Sequence, residues 1–301
     1  MTIYNQIDSN RRRTWLIMFF FSLFIVAVAY IFTLALGYRG PGALGFLGMF
    51  FIISGLINLG SYYWSDKLVM ALSGAKQIQE KDNPTLFHTV ENLCIGAGTP
   101  MPKIYVMSEE APNAFATGRS PAHAALAVTT GLLEKLDKLE LEGVIAHELS
   151  HIKNYDTRLM TIVVILVGLV ALLADFFLRA RFFGGGDDEN RERGSAIFMV
   201  LALVAAILAP LAAQLIQLAI SRRREFLADA SGALLTRYPD GLASALEKIS
   251  SDRTPLRQAS TATAHLYIEN PFKGKKATSW LTKLFLTHPP VEERIKALRS
   301  M

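Results

Sequence analysis

Two histidines four residues apart, with a glutamate beside the first, make His147-Glu148-Leu149-Ser150-His151 the group in this chain whose residue types and spacing suit chemistry. On a helix, side chains at i and i+4 leave from one face, so both imidazoles can converge on one ion while Glu148 reaches a water bound to it. Zinc would polarise a scissile carbonyl and lower the pKa of that water, and Glu148 would take its proton and pass it towards the leaving amine. The bland alternative is two surface histidines beside a solvated glutamate, but this pattern arises by chance in about one chain in a hundred or fewer at such a length. A third ligand is required. A close-following histidine is excluded, because Asn154 and Thr157 stand where the extended pattern needs Gly and His. The best candidate is Glu225 in Arg224-Glu225-Phe226-Leu227-Ala228-Asp229. Asp229, one turn on, can accept a hydrogen bond from a ligand imidazole and fix its tautomer.

The elements that must carry these residues are apolar. Of 301 residues 51% are hydrophobic and 19% charged, with a net charge of +5 and one cysteine, Cys94. This balance excludes disorder and collagen, and one thiol excludes an internal disulfide. Four runs are long enough to span a bilayer as helices: about 15–37, 43–63, 159–178 and 196–220. The aromatic cluster Tyr62-Tyr63-Trp64 suits the membrane interface, and Pro210 is a kink site in the fourth run. The first run is read as a retained span rather than a cleaved signal peptide, since it leads directly into a second one. Arginines before the first run (Arg11, Arg12, Arg13) and after the fourth (Arg222, Arg223, Arg224) place both ends in the cytoplasm. The charged linker 179–195 weakens that assignment. The positive balance fits a phospholipid surface, and no nucleic-acid recognition module is present.

The organisation expected is therefore a tail and hairpin (1–64), a first part of a cytoplasmic domain (65–158), a second pair of spans (159–220), and a second part (221–301). In the first part, 82–97 and 138–155 read as helices, and 103–107, 114–117 and 124–129 as short strands with a turn at 118–121. The inner side of the 138–155 helix is assigned to Leu139, Leu141, Val144, Ile145, Leu149 and Ile152. His151 precedes the third span by eight residues and Glu225 follows the fourth by five, so both ligands are expected on cytoplasmic extensions of neighbouring spans, close to the lipid surface.

The chain resembles the HtpX-type membrane zinc metalloproteases, relatives of the CAAX prenyl proteases. The resemblance covers nearly the whole sequence. It rests on the hydrophobic amino-terminal hairpin, Pro112-Asn113-Ala114-Phe115-Ala116-Thr117-Gly118, the His147-Glu148-x-x-His151 helix, the two later spans, Glu225-Phe-x-Ala-Asp229, and Thr287-His288-Pro289-Pro290. It implies a mainly α integral membrane protein with four transmembrane helices and a discontinuous α+β zincin-like (gluzincin) cytoplasmic domain with a small β-sheet. It also implies one Zn2+ on His147, His151 and Glu225, Glu148 as general base, Asp229 in support, and His288 and Arg294 facing the site as catalytic residues. Asn113, Ala114, Phe115 and Ala116 match an exposed strand beside the metal, where an extended substrate would bind through its backbone. His88, His123 and His265 are read as surface or core residues.

The function expected is cleavage of unfolded or damaged membrane proteins at the cytoplasmic face of a bacterial inner membrane, with the bilayer and such substrates as partners. Quality control rests on the resemblance alone. Site-specific processing of a lipidated or membrane-anchored substrate is one alternative, and a non-catalytic zinc-stabilised scaffold, with His288 or His265 closing the site, is another. The exposed linker 184–195 is an expected site of self-cleavage.

Overall fold

The computed structural model describes residues 3–35, 41–183, 222–259, 263–271 and 289–301. The fourth apolar run, the linker from 184, Pro210 and His288 lie outside them. Helix α1 (Ile3–Ala35) carries the first apolar run as far as the described residues reach, and α2 (Pro41–Leu72) carries the second without a break and continues past its expected end at Tyr63. Asn58 Nδ2 on α2 donates to Ser22 Oγ on α1 at 2.6 Å and to the Met18 carbonyl at 3.4 Å, polar links in an otherwise apolar seam. The outward faces of the pair expose Trp15, Phe19, Phe20, Phe51, Ile52 and Leu56. Among the described residues no helix is long and apolar enough to cross a membrane.

Four strands form one sheet in the order β1-β2-β4-β3, from β1 (Lys76–Gln77), β2 (Lys103–Met107), β3 (Ala114–Gly118) and β4 (Ala124–Thr129). β2 and β4 run parallel and the other pairs antiparallel. β4 is buried throughout and divides two cores. Ala125 and Ala127 face a core containing Phe21, Met70 and Leu159, whereas Leu126 and Val128 face one containing Val144, Ile145 and Leu149. The two-residue side-chain period of a strand produces that division. β3, last in the order, has only β4 as a strand partner among the described residues.

Helices α3 (Pro84–Ala97) and α4 (Thr130–Lys135) flank the sheet. Next comes α5 (Lys138–Lys153), whose start is set by a reciprocal cap. Glu140 N donates to Asp137 Oδ1 at 3.0 Å, and Asp137 N donates to Glu140 Oε2 at 2.8 Å. From Val144 to Ile152 every residue of α5 is buried, because α7 (Arg222–Thr236) and α8 (Pro239–Ser251) pack along it and β3 meets its other side. Leu139 is an exception to the expected inner face at 50% exposure. At about 100° per residue it stands about 200° round the helix from Leu141. A final helix, α9 (Val291–Leu298), lies against α8.

One expectation is corrected at the end of α5. Helix α6 (Asp156–Phe183), which begins the third apolar run, is not continuous with it. Tyr155 takes a left-handed backbone, φ 59°, which ends one helix and starts the next in a new direction. His151 is therefore not on an extension of the third run. The break turns Asp156 back towards it.

Candidate active site

Helix α5 presents both imidazoles from one face, and α7 brings the third donor. The Nε2 atoms of His147 and His151 are 3.1 Å apart, and Glu225 carboxylate oxygens lie 3.9 Å from His147 Nε2 and 3.6 Å from His151 Nε2. Donors bound tetrahedrally to zinc at its usual bond lengths would be about 3.4 Å apart, so this set fits zinc with little adjustment. All three residues are buried. The close approach that makes this geometry depends on Gly232, one turn beyond Asp229. A Cβ there would stand 3.0 Å from the His147 backbone N.

Each imidazole is held through its other nitrogen. Asp229 Oδ1 is 2.9 Å from His147 Nδ1, and Asp156 Oδ2 is 3.1 Å from His151 Nδ1. Both contacts leave Nε2 as the lone-pair donor facing the ion position. Asp229 is gripped in turn by Arg294, whose Nε and Nη2 donate to its two oxygens at 2.8 and 2.7 Å while Nη1 donates to the Ile268 carbonyl at 3.2 Å. Burial raises the Asp229 carboxyl, but the Arg294 charge and hydrogen bonds outweigh it and hold the group at about 2. Asp156 Oδ1 accepts from Asn10 Nδ2 at 2.6 Å, and Arg224 Nη1 donates to Asn10 Oδ1 at 3.0 Å, so the amino-terminal helix is wired to the second imidazole. Burial lowers His151, yet the Asp156 hydrogen bond and the Glu225 charge raise it to about 9 without metal.

Glu148 lies beside these donors, 2% exposed. Burial pushes its carboxyl above the ordinary carboxylate value, and the two histidines and the Ala116 N–H, which donates to it from β3, pull the other way. A carboxylate raised in this manner is a better proton acceptor than an ordinary one and can pass the proton on.

The remaining expected site residues are placed as follows. Asn113 is buried, its Nδ2 donating to the Glu269 carbonyl at 3.0 Å and its Oδ1 accepting from Ala114 N at 3.1 Å. Ala114, Phe115 and Ala116 form β3, with Phe115 fully buried edge-on against Tyr267. The free side of that strand is partly taken, since Ile268 N donates to the Ala114 carbonyl at 3.0 Å. Arg294 is 1% exposed; besides gripping Asp229, its Nη2 lies 3.5 Å from the ring nitrogens of His147 and its Nη1 3.7 Å from Glu225 Oε2. His265 Nε2 lies 3.4 Å from the Met160 carbonyl, away from the converging donors, and His88 and His123 are on the surface. Asp156 and Asn10 are not singled out by the sequence, and Arg224 is read there only as one of the arginines after the fourth run. A carboxylate just past the end of the ligand helix was the available signal for Asp156, and none marks Asn10.

Residues 80–301 match the profile of peptidase family M48. A protein of Tropheryma whipplei (strain Twist) described as "Protease HtpX homolog" is 49% identical over 304 residues, covering 99% of this chain and 98% of its own length. One from Dictyoglomus thermophilum with the same description is 46% identical over 300 residues, covering 100% of this chain and 95% of its own. The crystal structure of S. mikatae Ste24p aligns with 95% of this chain and 66% of its own at 18% identity and a TM-score of 0.46. With most of its length inside the family profile and close to half its residues shared end to end with these two proteases, the chain belongs to peptidase family M48 and is a metalloprotease.

Proposed function

We propose that the chain is a multi-pass membrane zinc endopeptidase, with both termini and its catalytic domain at the cytoplasmic face of a bacterial inner membrane. There it hydrolyses peptide bonds of misfolded or damaged membrane proteins. The observation that carries the reading is Glu148, a buried carboxylate of raised pKa, oriented by the Ala116 N–H and set beside three convergent donors. His147, His151 and Glu225 would hold the zinc ion, which when bound would supply Lewis acidity to the scissile carbonyl and to water. Glu148 accepts the proton of the attacking water and returns it to the leaving nitrogen. Asp229 and Asp156 keep both imidazoles oriented through that cycle, and Arg294 keeps Asp229 charged.

An extended substrate adds along β3, displacing Ile268 from the Ala114 carbonyl. Ala114 and Ala116 offer little side-chain surface and Phe115 is buried, so recognition is mainly through backbone, which favours a broad range of unfolded substrates. The exposed aromatic and aliphatic residues on α1 and α2 support a lipid environment for this pair.

The test is cleavage of a loosely folded membrane protein in liposomes by zinc-loaded chain, beside Glu148→Ala at matched zinc content. Cleavage by wild type alone, at scattered positions, is expected. Equal cleavage by the variant, or none by either protein, refutes the mechanism. Cutting at one repeated site replaces quality control with site-specific processing.

A further inference from the structure

Away from the metal donors, three arginines and three tyrosines alternate along one side of the molecule. The Arg119 guanidinium lies over Tyr63, with its carbon 4.9 Å from the ring centroid, and over Tyr62 at 5.8 Å. Tyr62 also takes Arg158 at 5.6 Å, and Tyr155 lies beneath both Arg158 at 5.0 Å and Arg11 at 4.6 Å. Trp15 stacks on Tyr62 at 5.8 Å. Arg158 Nε donates to the Arg119 carbonyl at 2.7 Å, which ties the turn after β3 to the start of α6. Tyr155 keeps its ring in this ladder on the left-handed backbone that favours glycine.

The ladder is rich in cations and lacks anions. Among the described residues none of the three arginines has a carboxylate partner, and the side chains of Arg11 and Arg119 donate no hydrogen bond to protein. Ring faces satisfy the flat sides of the guanidiniums and leave their planar N–H forks, which match the oxygens of a phosphate. The position is equally telling. Arg11 shortly precedes the first apolar run, Arg158 immediately precedes the third, and Tyr62 and Tyr63 end the second. All of these points sit at one boundary of the apolar layer.

We infer that Arg11, Arg119 and Arg158 form a binding site for the phosphodiester headgroup of an anionic phospholipid, an inference that rests on the membrane reading above. Arg119 directly follows β3 and Arg158 follows Asp156 by two residues, so a bound headgroup braces the substrate strand and the helix start that orients His151.

The test uses the full zinc-loaded chain in detergent, titrated calorimetrically with short-chain phosphatidylglycerol, phosphatidylcholine or inorganic phosphate. Phosphatidylglycerol is expected to bind most tightly. Arg119→Gln is expected to weaken it about five-fold and Arg11→Gln/Arg119→Gln about thirty-fold, with zinc content and helical signal unchanged. Wild-type phosphatidylglycerol affinity in both variants, or equal affinity for phosphatidylcholine, overturns the site. Phosphate binding as tightly as phosphatidylglycerol assigns it to a free anion and overturns the lipid. Flotation of wild type with phosphatidylcholine vesicles is scored separately. Failure to float refutes the membrane reading together with the site, whereas flotation without lipid selectivity refutes the site alone.

Discussion

Removing the charge behind a ligand imidazole should weaken the metal site without touching a ligand. In Asp156→Asn the side chain can still accept from His151 Nδ1, across a distance now 3.1 Å, but no longer stabilises positive charge on the ring. Outer carboxylates of this kind are worth about 10- to 100-fold in metal affinity, or about 1.4 to 2.7 kcal/mol. Asp229→Asn should cost as much through His147, at 2.9 Å. The carboxylates act on different rings from different helices, α6 and α7, so their effects should multiply to about 10²- to 10⁴-fold in the double variant. Asp229 also carries the bidentate pair with Arg294, so its variant should lose global stability as well. Chelator competition for zinc at pH 7, restricted to protein shown to be folded, measures the affinities. Wild-type zinc affinity in Asp156→Asn would refute the argument that this carboxylate orients the ligand.

Other outcomes follow from the same site. Metal-free His151 sits at about 9, so zinc must displace a proton below that pH. Zinc affinity should rise about ten-fold per pH unit between 6.5 and 9 from this group; a flat profile in competition titrations contradicts it. The raised value also means that His151 stabilises the metal-free fold most below its ordinary 6.5 and loses that contribution as pH rises through about 9, which melting curves across that range would register. Arg294→Met leaves the Asp229 charge buried without its fork and should destabilise the fold by about 3 to 5 kcal/mol; a thermal midpoint within a degree or two of wild type would be the contrary result. Gly232→Ala forces a methyl against the His147 backbone and should cost about 1 to 3 kcal/mol and loosen zinc together. Unchanged denaturation and zinc affinity would show that α7 can shift without moving Glu225.

The legible part of this protein is local. β2 and β4 emerge at 103–107 and 124–129 as their alternating and apolar runs require, and the start of α5 at Lys138 follows from the Asp137 and Glu140 cap. The helical break at Tyr155 carries no glycine or proline, and the polar run Lys153-Asn154-Tyr155-Asp156-Thr157-Arg158 that interrupts the apolar pattern there is its only mark in the sequence. The two-residue β1 carries a weak signal of its own and is held by what it packs against, whereas α8, with Pro239 at its start and Leu242, Leu246 and Ile249 on one face, is legible from spacing although the sequence analysis did not assign it.

By itself the sequence determined the chemistry of the donors. His147, Glu148 and His151 share a helix face by spacing alone, and Glu225 and Asp229 share another, because the i, i+4 relation belongs to any α-helix. Only the tertiary structure decided how these faces meet. It sets Arg294 on an aspartate 65 residues away, aims the Ala116 N–H of β3 at Glu148, and joins Asn10 of α1 to Asp156. Such contacts are chosen by the packing of α1, α6, α7 and β3 around α5. Packing answers to buried volume and to the pairing of buried charges across the whole chain, so a local pattern does not carry it.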